Sequence, residues 1–252
     1  MKILWSIAVK IATFVLLAVC GVKIIFDSVN WMSTIAVGLI MVISFPLSAI
    51  VHEFGHMLFG AMVKIKAVPD SESFLTFLKQ TFLNWWDASS CKLIPKTEKN
   101  LRARIIFTAM GGAAVNLIFI ILGIIALSVS AVPTELCVLM PASFHLLALN
   151  ALPFNFENGK SDGEIIFELI KNGDEAKVML AVLQVQAQVL NGKPIAEIDE
   201  KLLFELPQIR EDDLSFISLC ELRYEYFTAK GDSENSEKWR TRFEELEQEY
   251  LN

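Results

Sequence analysis

Val51-His52-Glu53-Phe54-Gly55-His56-Met57 sets two histidines and a glutamate inside an apolar run that spans residues 31–63. Residues four apart share a helical face, so His52 and His56 can present two imidazoles to one metal ion. Glu53 follows the first histidine, where a carboxylate can hold and deprotonate a metal-activated water. Ionisable groups at lipid depth are costly unless they face a protein interior, so function is the first reading of this stretch. The surrounding chain then has to be a membrane protein.

The neighbouring runs agree. Residues 3–26, 105–132 and 136–152 are each apolar and long enough to cross a bilayer as a helix, for which roughly 17–25 residues suffice. With the 31–63 run, which Pro46 should kink or divide, they give about four transmembrane helices. Small residues from Gly111 to Ala114 let another helix come close to the third span. Residues 64–104 carry 8 Lys+Arg and two aromatic-rich segments, 74–78 and 82–86. That region reads as an interfacial helix or as a short membrane-associated hairpin. Basic residues gather there and near the N-terminus, whereas the turns at 27–30 and 133–135 have none. The positive-inside rule therefore puts both termini and the basic loop in the cytoplasm.

Charge divides the chain in two. Residues 1–162 hold 12 Lys+Arg against 9 Asp+Glu, and residues 163–252 hold 10 against 20. The split predicts a membrane domain over 1–163 and an acidic, water-soluble helical domain over 164–252. Helical spacing recurs over 164–171, 175–190, 195–206, 213–230 and 234–251. Asn191-Gly192 and Lys230-Gly231 punctuate two hairpins loosely like tetratricopeptide units, a place where a protein partner could dock. The fold class is thus an all-α polytopic membrane protein with a C-terminal soluble helical domain. The acidic balance argues against nucleic acid as a partner. Four scattered cysteines with no C-x-x-C pair give no sign of a disulfide framework.

Two imidazoles leave a catalytic zinc site one protein ligand short. The segment Asn150-Ala151-Leu152-Pro153-Phe154-Asn155-Phe156-Glu157-Asn158-Gly159-Lys160-Ser161-Asp162-Gly163 offers two candidates, Asp162 and Glu157. Asp162 is preferred because the glycine after it permits the close approach a short carboxylate needs. Asn150 and Pro153 break an apolar helix, which is tolerated at depth only where backbone is buried or lines a cavity. The third histidine, His145, reads as a helix contact.

The combination resembles the site-2 proteases, zinc metalloproteases that cut within the membrane. Their second motif, N-x-x-P-x-x-x-x-D-G, is matched at its fixed positions by Asn150, Pro153, Asp162 and Gly163, with eight residues between Pro153 and Asp162 in place of four. The segment Gly112-Ala113-Ala114-Val115-Asn116 resembles the small-residue-plus-Asn segment of an intervening family helix. The likeness covers roughly residues 35–165 and is closest to a bacterial branch without a PDZ domain. It implies one zinc ion on His52, His56 and Asp162, Glu53 as general base, and Asn150 and Asn116 as donors to the oxyanion or the substrate backbone. It further implies a bacterial cell membrane and a membrane-tethered protein or peptide as substrate. The alternative is a catalytically inactive scaffold whose helical tail recruits a partner.

Overall fold

The computed structural model describes residues 2–27, 31–69, 74–83, 91–129, 131–156 and 159–251. Three helices are long and apolar enough to cross a membrane: α1 (Lys2–Asp27), α2 (Trp31–Met62) and α4 (Leu101–Ser128). Their exposed residues include Phe14, Phe26, Leu39, Val42, Ile118 and Ile124. An apolar outer skin is what lipid tails can cover, since helices satisfy their own backbone groups. These features mark the chain as a membrane protein.

Two expectations are narrowed here. Pro46 does not divide the second run, because α2 continues through it as one helix of 32 residues. The fourth run is helical over Thr134–Asn150 but in two pieces: a 3-10 turn, Thr134–Val138, leads into α5 (Leu139–Asn150) of 12 residues. Together the two pieces extend about 28 Å, shorter than the three long helices and just under a hydrocarbon core of ~30 Å. Pro141 supplies the reason for the break, since it has no amide to bond back to Cys137. The carbonyl this leaves accepts instead from Cys20 Sγ of α1, at 3.4 Å.

The basic loop contains both a strand pair and a helix. Strands β1 (Ile65–Pro69) and β2 (Cys91–Pro95) pair antiparallel, Ile65 opposite Pro95 and Pro69 opposite Cys91. Helix α3 (Phe74–Leu83) lies in the connection between them. Residues 84–90, with the two tryptophans of the second aromatic segment, lie outside the described residues. Arg104 pins this layer to the end of α2. Its guanidinium donates to the carbonyls of Val63, Lys64 and Thr97 at 2.5, 2.7 and 2.6 Å.

After α5 comes a small hairpin, β3 (Asn155–Phe156) and β4 (Gly159–Lys160), then α6 (Asp162–Lys171) and α7 (Asp174–Leu190). A 3-10 turn at Ile195–Glu197, the four-residue α8 (Lys201–Phe204), α9 (Leu214–Lys230) and α10 (Ser233–Leu251) complete the chain. The expected helix over 195–206 is therefore broken. Asp199 breaks it, its Oδ1 accepting from the Lys201 amide at 3.0 Å and starting a new turn. Left-handed residues end the neighbouring helices, Asn172 after α6 (φ 58°) and Gly231 after α9 (φ 76°).

Three buried clusters organise the packing. One joins α1, α2, α4 and the Thr134–Val138 turn around Cys20, Ile24, Val37, Ala126 and Val138. A second lies inside the C-terminal helices, around Val185, Leu203, Leu219 and Tyr226. The third, with Ile65, Leu101, Ile105, Leu169, Ala176 and Leu183, joins β1 and α4 to α6 and α7. Packing thus runs continuously across position 163, where the sequence changes character.

Candidate metal centre

Helix α2 buries one polar stripe in spacings of four: Ser44, Ser48, His52 and His56, with Glu53 beside it. Ser48 Oγ meets Ser143 Oγ of α5 at 3.1 Å, so the stripe faces other helices and not lipid. His52 and His56 lie ten and six residues before the end of α2, or about 15 and 9 Å along its axis.

Glycines bring α4 onto this face. Gly55 and Gly111 touch backbone to backbone, and a side chain on either would run into the other helix. Gly112 faces the histidines themselves. A Cβ there would sit 2.5 Å from His52 Cε1 and 2.6 Å from both Nε2 atoms. The small residues of the third span thus serve the site as well as the helix crossing.

The third donor arrives from α6. Asp162 is its first residue, where a carboxylate also meets the favourable end of the helix dipole. Its Oδ2 lies 3.2 Å from His52 Nε2 and its Oδ1 3.4 Å from His56 Nε2, while the two Nε2 atoms are 3.2 Å apart. Four-coordinate zinc with bonds of about 2.0–2.1 Å sets its donors about 3.3–3.4 Å apart. Each carboxylate oxygen of Asp162 approaches one histidine, so the three side chains converge at about the separation such an ion sets. Glu53 also lies beside the two histidines: its carboxylate and one donor atom of each fall within 4.8 Å of one another, so these three residues could themselves hold a metal ion.

The far ring nitrogens decide what the near ones can do. His56 Nδ1 is 3.0 Å from the Thr108 carbonyl, which can only accept. Nδ1 therefore carries the proton in the neutral ring, and Nε2 offers a lone pair. His52 Nδ1 lies 2.9 Å from the side-chain amide nitrogen of Asn116, which is fully buried. Asn116 Oδ1 has no hydrogen-bond partner among the described residues. A half-turn of this amide would give Nδ1–H an acceptor and satisfy the orphaned oxygen. Lone pairs and a carboxylate would then converge with no proton between them, and a cation satisfies that arrangement.

The long segment between Pro153 and Asp162 closes on itself. Asn155 pairs with Lys160 and Phe156 with Gly159, so these residues fold out as a hairpin. Ser161 then returns to the start of the segment. Its amide donates to the Phe154 carbonyl (2.9 Å), and its hydroxyl donates to the Leu152 carbonyl (2.6 Å). The same hydroxyl accepts from the amides of Phe154 and Glu164, at 3.0 and 3.1 Å. Gly163 packs so tightly on the Ala151–Leu152 backbone that a Cβ would clash. Glu157, the rival ligand, lies outside the described residues.

Ser161 and the Thr108 carbonyl are site elements that motif and spacing do not single out. Ser161 had a signal, the capping pattern Ser161-Asp162-Gly163-Glu164. The Thr108 carbonyl had none, since any residue type carries one. Asn150 closes α5 and makes no hydrogen bond to His52, His56 or Asp162 among the described residues. His145 stands apart, its Nδ1 3.2 Å from Thr13 Oγ1 and its ring edge-on to Phe45. Comparison with known proteins returns no match, whether to a family model, a curated protein or a solved structure.

Proposed function

We propose that the chain is a zinc-dependent intramembrane endopeptidase that cuts a membrane-tethered protein or peptide near its transmembrane segment. The observation that carries this reading is the convergence of His52, His56 and Asp162, with the two Nε2 atoms 3.2 Å apart and a carboxylate oxygen of Asp162 3.2 Å from the first and the other oxygen 3.4 Å from the second. Ionisable side chains among apolar helices are costly and mark a functional site by default, and metal-assisted hydrolysis is a chemistry that such donors can serve. His52, His56 and Asp162 would hold the ion. Bound there, zinc would supply Lewis-acid activation of a water and of the scissile carbonyl at neutral pH.

The chain's own residues supply the rest. Glu53 accepts the proton of the attacking water at its carboxylate and delivers it to the leaving amine. Asn116 acts behind His52, fixing the ring, and not on the oxyanion. The Asn150 amide, at the end of α5, is left as the candidate donor to substrate. A helical substrate must unwind to expose a peptide bond, and β1 or β2 offers a strand edge with which the extended segment can pair. The ends of the chain and the basic loop would lie on the cytoplasmic side of a bacterial cell membrane, with α6 to α10 in water beside them.

Glu53→Gln separates this reading from an inactive scaffold. The variant should bind one zinc ion as wild type does and fail to cleave a co-expressed tethered reporter. Full cleavage by Glu53→Gln, or purified wild type that takes up no zinc, overturns the assignment.

A further inference from the structure

Lys160 is the second residue of β4 and stands two residues before Asp162. Its side chain turns away from the membrane helices to two carboxylates of the C-terminal helices. Nζ donates to Asp213 Oδ2 at 2.6 Å and to Glu175, and all three groups are largely withdrawn from solvent. Glu175 lies in the first turn of α7, and Asp213 is the N-cap of α9, its Oδ1 accepting from the Ser215 amide at 2.8 Å. One ammonium therefore ties the hairpin to the starts of α7 and α9.

We propose that α7 and α9 position Asp162 for the metal through Lys160. The inference rests on the metal reading above and assigns Lys160, Glu175 and Asp213 as positioning residues. Two features make the coupling short. Lys160 is held in the ladder opposite Asn155, and Ser161, the single residue between Lys160 and Asp162, is buried and hydrogen-bonded on both its hydroxyl and its amide. No loose peptide remains to absorb a shift of Lys160 before it reaches the carboxylate. Removing the ammonium would also leave Glu175 and Asp213 without their shared counter-charge and free the hairpin from the two helix starts. A carboxylate that supports a ligand from outside the first coordination layer acts in the same way when it orients a metal-bound histidine.

The test is the zinc dissociation constant of the purified full-length chain, measured against a chromophoric chelator. Lys160→Met should weaken binding by about ten-fold, the usual effect of losing a group that orients a ligand. Glu175→Gln with Asp213→Asn should weaken it similarly, because asparagine keeps the helix cap and only the charges are lost. Combining all three changes should add nothing further, and Lys160→Arg should restore wild-type affinity. Arg210→Met, which breaks the exposed pair with Asp212, should leave affinity unchanged. If wild type binds zinc and Lys160→Met binds it equally well, the positioning role is wrong while the metal site stands. The positioning role is equally wrong if Arg210→Met weakens binding as much as Lys160→Met, or if Lys160→Arg fails to restore it. Wild type that binds no zinc overturns the metal reading and this inference together.

Discussion

Asn116 stands directly behind His52: its side-chain amide nitrogen is 2.9 Å from Nδ1, the ring nitrogen opposite the one that faces Asp162. The contact crosses from α4 to α2, so the ring is held by a different helix from the one that carries it. An imidazole ligand is useful only in the tautomer and orientation that its far nitrogen enforces, and a buried amide can enforce both.

Asn116→Ala should therefore weaken metal binding by about 10- to 100-fold while leaving the fold intact. Asn116→Asp offers Nδ1–H the acceptor that the turned amide would supply and should lose less. Zinc competition titrations on both variants measure this, and equal affinity for Asn116→Ala and wild type would remove Asn116 from the site.

Gly112 makes a steric prediction. A methyl group there would meet His52 Cε1 and both Nε2 atoms at 2.5–2.6 Å, in the space the donors share. Gly112→Ala should yield protein with under one zinc ion per chain by elemental analysis. Gly38, in the same pair of helices, has nothing within 4 Å of an added Cβ. Gly38→Ala should bind zinc normally and gain about 0.5–1 kcal/mol from helix propensity, read as a higher melting temperature.

What the sequence made legible follows what side-chain pattern can encode. The H-E-x-x-H spacing fixed two donors on one face because helix geometry is periodic, and Gly163 pointed to Asp162 because close approach demands a missing Cβ. The small residues from Gly111 to Ala114 announced a helix crossing, but not that Gly112 would border the donors themselves. The break in the fourth run was hidden because an apolar run looks the same as a 3-10 turn or an α-helix, and only Pro141 hinted otherwise. The excess length before Asp162 looked like an obstacle until β3 and β4 folded it out. Backbone groups such as the Thr108 carbonyl leave no trace in residue identity at all.

Ser161 ties three pieces of backbone together, and its loss should be felt at the metal. Removing an N-cap costs about 1 kcal/mol. Ser161→Ala also leaves the part-buried Phe154 amide and Leu152 carbonyl without the hydroxyl they bond to, adding about 1 kcal/mol. The variant should melt at a lower temperature with zinc present and lose affinity for zinc, while Ser161→Thr, which keeps the hydroxyl, should stay close to wild type. A Ser161→Ala protein that melts and binds like wild type would show that Gly163 alone seats α6.

Cys220 reports on the C-terminal helices independently of the metal. It is fully buried in α9, and burial pushes its thiol up to about 11, with Arg223 and Arg242 pulling the other way and Glu211 adding to the rise. At pH 8 only about a thousandth of such a thiol is ionised, and the thiolate is the reactive form. Iodoacetamide should leave Cys220 unmodified in the folded protein at that pH and alkylate it fully in denaturant, read from the mass of its peptide. Because the folded-state value is raised, the neutral thiol's contribution to stability is complete below the unfolded-state value and declines as pH rises towards 11. Stability of the C-terminal helices should therefore fall between about pH 9 and 11, and Cys220→Ala should flatten that decline. The same labelling applied to Lys160→Met should remain slow at pH 8, because the cluster around Cys220 does not include Lys160. Rapid labelling of that variant would mean that the lysine holds the helices together and does not only steer Asp162.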